Sequence, residues 1–208
     1  MDVIVNARNA DLEGTLVLPH GAKGIVLFAH GSGSSRFSPR NNYVAKTLND
    51  AGIATLLIDL LTREEDLDYD MRFDIMLLAE RLQDATGWLQ RDERTKDLKI
   101  GYFGASTGAA AALKAAARLG KTIHAVVSRG GRPDLASIQE LGKVSSPTLL
   151  IVGGNDDVVI ELNRRAFASL ACEKEMKIIP GATHLFEEPG KLEQVAIDAR
   201  NWFSQYLG

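Results

Sequence analysis

The chain has 208 residues with 24 Lys and Arg against 27 Asp and Glu, a formal charge of −3 at pH 7. That length suits one domain with a real core, and the interspersed charges leave no basic face for nucleic acid. No apolar run reaches the ~18 residues of a membrane span, the N-terminus lacks a signal-peptide pattern, and one cysteine, Cys172, cannot form an internal disulfide. A cytoplasmic protein with an unreactive thiol is expected.

Taken in order, Val3-Ile4-Val5 and Leu12 to Leu18 read as two strands about a turn at Asn9-Ala10-Asp11, the second alternating like a half-exposed antiparallel edge. Gly24 to Ala29 is a continuous apolar strand running into His30-Gly31-Ser32-Gly33. Ser38 and Pro39 supply an N-cap and a first-turn proline for a helix that Gly52 stops. Ile53 to Ile58 is a buried strand, followed by an acidic loop over residues 64–70 and an amphipathic helix with Ile75, Leu78, Leu82, Ala85 and Leu89 on its apolar stripe. The strand from Lys99 then enters an alanine-rich helix through Gly104-Ala105-Ser106-Thr107-Gly108.

Strands at Ile123 to Val127, Pro147 to Val152 and Met176 to Ile179 complete the pattern, with helices through Leu162 to Leu170 and Leu192 to Phe203. Strands and helices alternate from about residue 24 onward. The expected architecture is therefore an α/β fold over residues 1–208, a mainly parallel twisted sheet with helices on both faces.

In a parallel sheet, ligands sit beyond the carboxyl ends of the strands. Ser106, Asp156 or Asp157, and His184 all follow strands at that edge, in the order Ser…Asp…His. A serine hydroxyl needs a base to take its proton; histidine can serve, and a carboxylate on its other nitrogen fixes the tautomer. Glycines two residues either side of Ser106 match a nucleophile elbow, where only small neighbours allow the close approach of strand and helix. The alternative for Ser106 is a plain helix cap, and for the aspartates likewise. No phosphate-loop pattern occurs, and the four histidines and one cysteine show no ligand spacing, so neither a nucleotide cofactor nor a metal is expected. Arg36, Arg40, Arg129 and Arg132 also follow strands at the carboxyl edge, and Arg129, with Arg36, is the candidate contact for an anionic group on the substrate.

These motifs, together with Val152 to Val159 and Pro180-Gly181-Ala182-Thr183-His184, resemble the α/β-hydrolase superfamily and within it the compact dienelactone-hydrolase-like group, over essentially the whole chain. The chain departs from the dienelactone hydrolases proper at the nucleophile, where they carry cysteine and this chain has Ser106. The family spacing from glycine to aspartate to valine favours Asp156 as the acid, through Gly153 and Val159, over Asp157. The resemblance also implies an oxyanion hole built from the backbone N–H groups of Thr107 and of Ser32, with Gly33 the rival for the second. It implies a serine hydrolase without cofactor, acting on a carboxylic ester or thioester of a small soluble molecule; the chain is too short for a large inserted lid, and its charge and hydropathy point to neither nucleic acid nor membrane. The same residues would serve an acyltransferase or peptidase, and a non-catalytic binding domain of this fold is the alternative of another class. The sequence is silent on oligomeric state.

Overall fold

In the computed structural model, which describes residues 1–208, eight strands form one sheet in the order β1-β2-β4-β3-β5-β6-β7-β8. The strands are β1 (Asp2–Ala7), β2 (Ala10–Val17), β3 (Gly24–Ala29), β4 (Ala54–Ile58), β5 (Lys99–Ala105), β6 (Ile123–Arg129), β7 (Thr148–Gly153) and β8 (Lys174–Ile179). The helices are α1 (Pro39–Asp50), α2 (Ile75–Leu89), α3 (Thr107–Leu119), α4 (Ile138–Leu141), α5 (Asp157–Ser169) and α6 (Lys191–Leu207). β1 and β2 are antiparallel, β2 joins β4 antiparallel, and every pairing from β4 through β8 is parallel. This is the α/β-hydrolase architecture.

The sheet divides the core in two. Ile25, Leu27, Leu56, Tyr102 and Val126 point to the face covered by α2 and α3, whereas Val26, Phe28, Leu57, Phe103 and Val127 point to the face covered by α1 and α6. Successive residues of each central strand thus serve opposite cores, which is why β3 is apolar throughout and buried along its whole length. α1 is capped by Ser38, whose hydroxyl accepts the Asn41 N–H at 3.3 Å, with Pro39 in the first turn; Gly52, at φ +80°, follows its end.

Three details differ from the sequence expectation. The half-exposed β2 is not the edge, because β1 pairs along its outer side. β8 begins two residues earlier than Met176, with Lys174 and Glu175 paired to Thr148 and Leu149; as an edge strand it has water on its outer side and accepts charge without an apolar signature. Short helical turns at residues 65–67, 71–73 and 133–135, and α4, occupy stretches too brief to show a period.

α6 closes the second core by laying Phe203 over Gly101, so closely that a Cβ at residue 101 would come within 2.9 Å of the ring. Phe203 is fully buried. Phe203→Ala is expected to cost about 3–5 kcal/mol through lost burial and the cavity left behind, read as a lower urea midpoint at unchanged slope.

Candidate active site

The turn between β5 and α3 is set by steric exclusion. A Cβ on Gly104 would lie 2.4 Å from Ala109 Cα, and one on Gly108 would lie 2.2 Å from the Ala29 carbonyl oxygen. Both positions therefore require glycine for the helix to approach the ends of β5 and β3. Between them Ser106 takes φ +50° and ψ −120°, a backbone conformation that a side chain disfavours. Its N–H donates to the Arg129 carbonyl at 3.2 Å, and its own carbonyl accepts the Arg132 N–H at 3.1 Å. The strained residue is thus pinned by the last residue of β6 on one side and by the loop after it on the other. Its side chain makes no capping bond to α3.

β7 leads into the candidate acid. Asp156 stands at the N-cap position of α5 yet makes no capping bond; its Oδ2 lies 2.7 Å from His184 Nδ1. Asp157 is instead the first residue of the helix and an exposed one. His184 sits in the loop after β8, which Phe186 anchors by burying its ring in the second core at φ +57°. Ser106 and Phe186 are the two non-glycine residues with positive φ. Gly130, at φ +51°, joins them: it follows Arg129, and a Cβ there would lie 3.5 Å from His184 Cε1. The imidazole therefore lies over the residue after the one that holds the Ser106 backbone. The Asp156–His184 contact is a hydrogen bond, while none joins Ser106 Oγ to His184.

The loop after β3 is held by His30, which is buried. Its Nε2 accepts the Leu60 N–H at 3.1 Å, so the proton sits on Nδ1, which donates to the Gly31 carbonyl at 3.0 Å. A Cβ on Gly31 would come within 3.1 Å of Ser106 Cβ. The Ser32 N–H donates to the Thr107 hydroxyl at 2.9 Å, so a side chain on α3 already meets that backbone donor. The Thr107 hydroxyl was not legible as a partner, because the sequence motif concerns only backbone at that position.

The arginines divide. Arg36, expected on the substrate, has its guanidinium engaged by Asp59 and by Glu13 at 2.6 Å, and its backbone N–H also donates to Asp59. Two carboxylates, one from β2 and one just after β4, occupy both terminal nitrogens, and the guanidinium ties the β3 loop to the sheet. Arg132 pairs in two-pronged fashion with Asp134. Arg40 reaches Glu187 at 3.0 Å. Arg129 is only 7 % exposed and meets no carboxylate; its one side-chain contact is Asn41 Oδ1 at 3.5 Å. Burial and the neighbouring Arg40 push its pKa down to about 10. Cys172 is half-buried beside Thr148, and burial raises its thiol pKa, which leaves it a poor nucleophile.

A strained serine between glycines at a parallel sheet edge, with an aspartate-bound histidine beside it, defines an α/β hydrolase. The chain matches the Dienelactone hydrolase family over residues 12–206 and belongs to it. It is 58% identical, over 99% of its length, to a Mycobacterium tuberculosis protein named "Putative phosphoribosyl transferase", and spans about half of it (46%). Among solved structures it superposes on a dienelactone hydrolase from Anabaena variabilis with a TM-score of 0.98 and 58% identity, covering 100% of this chain and 98% of that one. It also shares the fold of a Xanthomonas campestris α/β serine hydrolase described as lacking a lid, at a TM-score of 0.82 and 18% identity, over 100% of this chain and 94% of that one. No helix is long and apolar enough to cross a membrane.

Replacing Arg36 with methionine removes its charge-assisted bonds to Asp59 and Glu13. Both carboxylates keep partial access to water, so the expected loss is about 1.5–3 kcal/mol, measured by chemical denaturation.

Proposed function

We propose that this protein is a serine hydrolase that cleaves a carboxylic ester or thioester of a small soluble molecule through an acyl-enzyme. The observation that carries the reading is the Asp156–His184 hydrogen bond, with the imidazole packed against Gly130, the residue after the one whose carbonyl holds the strained Ser106. Ser106 Oγ attacks the substrate carbonyl as His184 Nε2 takes its proton. Asp156, on Nδ1, fixes the tautomer that leaves Nε2 free to accept and stabilises the imidazolium that forms. The tetrahedral oxyanion lies against the Thr107 N–H at the start of α3, where the helix dipole favours negative charge. The Ser32 N–H is the second donor, shared with or released by the Thr107 hydroxyl as the oxyanion arrives. Collapse expels the alcohol or thiol, protonated by His184, and water repeats the sequence in reverse to release the acid and restore Ser106.

No step of this sequence calls on a cofactor or metal. The longest excursion from the sheet on this edge, residues 59–74 between β4 and α2, consists of short turns and is fastened by Arg81 to Glu65 at 2.7 Å, which favours an open site over a lid-gated one. The Anabaena structure's name supports a lactone, a cyclic ester, among the substrates. The transferase name of the mycobacterial relative we assign to the part of that protein beyond this chain, because residues 12–206 here are accounted for by a hydrolase family.

Ser106→Ala is expected to lower kcat on p-nitrophenyl esters by on the order of 10⁴–10⁶-fold with the fold intact by circular dichroism; retention of a few per cent of activity sinks the reading. Asp156→Asn is expected to lose about 10⁴-fold through the wrong histidine tautomer, whereas Asp157→Asn stays within a few-fold. The reverse order would move the acid one residue along.

A further inference from the structure

Asn163 is a fully buried polar side chain that the reaction sequence above leaves without a role. It stands on α5 about two helical turns after Asp156, and so on the same side of the helix as the acid. Its Nδ2 donates to the Gly131 carbonyl at 3.0 Å and to the Val159 carbonyl one turn back at 2.8 Å. Two carbonyl acceptors decide which end of the amide carries the hydrogens, and they leave Oδ1 buried with no donor. A buried oxygen without a partner costs stability, which an apolar side chain of the same size would not.

The carbonyl that Asn163 holds belongs to the segment between the nucleophile and the base. Residues 130–132 meet His184 at one end, where a Cβ on Gly130 would lie 3.5 Å from Cε1. At the other end they meet Ser106, whose carbonyl accepts the Arg132 N–H at 3.1 Å. Two consecutive glycines make such a segment intrinsically loose. Neither position admits another residue easily: Gly130 has φ +51°, and a Cβ on Gly131 would lie 2.0 Å from Ser128 Oγ and 2.7 Å from Ala109 Cβ. The segment therefore takes its order from its surroundings, and Asn163 is the one side chain that hydrogen-bonds to its backbone. One helix thus reaches the imidazole through Asp156 and the serine backbone through Asn163.

We propose that Asn163 is a positioning residue, which registers residues 130–132 against the helix that carries the acid and so sets the separation of Ser106 Oγ from His184 Nε2. Its part in turnover rests on the hydrolase reading above; the anchoring of the segment does not. Asn163 is wholly buried and out of reach of substrate, so its loss acts on the chemical step and not on binding.

The test has two arms. In the first, wild type, Asn163→Leu, Asn163→Ala and Ile160→Ala are compared on p-nitrophenyl esters, with active sites counted by fluorophosphonate titration. Ile160 is a buried apolar residue of the same helix with no bond to the segment, and reports what loosening α5 does by itself. Asn163→Leu is expected to lower kcat per titrated site about 10- to 100-fold with KM within about threefold of wild type. Asn163→Ala is expected to do the same, and carries the arm if the leucine variant does not fold. Ile160→Ala is expected to lower the Tm with kcat within about twofold of wild type. In the second arm, amide exchange is followed by NMR. The Arg132 N–H is expected to lose about tenfold or more of its protection in the Asn163 variants, relative to the amides of β3. A kcat within about threefold of wild type in the Asn163 variants, or an equal loss in Ile160→Ala, overturns the positioning role; unchanged Arg132 exchange overturns the anchor. Failure of wild type to react with the fluorophosphonate and to turn over any ester overturns the hydrolase reading instead, and the exchange arm then decides the anchor alone.

Discussion

Everything at the carboxyl edge depends on how closely α3 approaches the ends of β3 and β5. The helix can come that near only because Gly104 and Gly108 offer backbone where any other residue would drive a Cβ into Ala109 or the Ala29 carbonyl. A run of small buried side chains, Ala109 to Ala112 with Ala115 and Ala116, extends the same close contact along the helix. Ser106 lies where the chain reverses between these contacts, and its left-handed backbone follows from the crowding on either side. A strained conformation costing on the order of 1–3 kcal/mol persists only where surrounding structure determines it; here the carbonyl of Arg129 and the N–H of Arg132 do so.

The elements that converge on this edge are fixed in different ways. The β3 loop is clamped by His30 between Leu60 and Gly31 and by Arg36 between two carboxylates. The His184 loop is anchored by an apolar group, Phe186, sunk into the core beneath α6. The loop after β6 is tied to α5 through Asn163, which donates to the Gly131 carbonyl at 3.0 Å. Polar, ionic and apolar fastenings thus position separate loops around one residue.

Most of the fold was legible because the central strands and the long helices carry strong periods, and caps such as Ser38 and Gly52 mark their ends. What escaped the sequence was what depends on neighbours. Whether β2 or β1 is the edge is a matter of pairing between strands, which the composition of either one does not encode. α4 is four residues long with a capping box from Ser137 and Glu140, too short for a hydrophobic stripe to appear. At the site, residue type and loop position were enough to gather Ser106, Asp156, Asp157 and His184 at one edge, but not to show which carboxylate faces the imidazole. Arg36 and Arg129 looked alike in sequence, each in or beside a post-strand loop. Only the fold reveals that β2 and β4 bring carboxylates to the first and that nothing acidic reaches the second.

The position of Asp156 places two demands on one side chain. Its residue opens α5, where a carboxylate would ordinarily turn inward to satisfy the free N–H groups of the first turn, a contribution of about 0.5–2 kcal/mol. Instead the carboxylate turns outward to His184, and the helix starts without a side-chain cap. The chain is therefore locally frustrated at this point. An aspartate whose carboxylate turned inward would cap the helix and leave the imidazole unheld, so helix capping and histidine orientation compete for one side chain at residue 156.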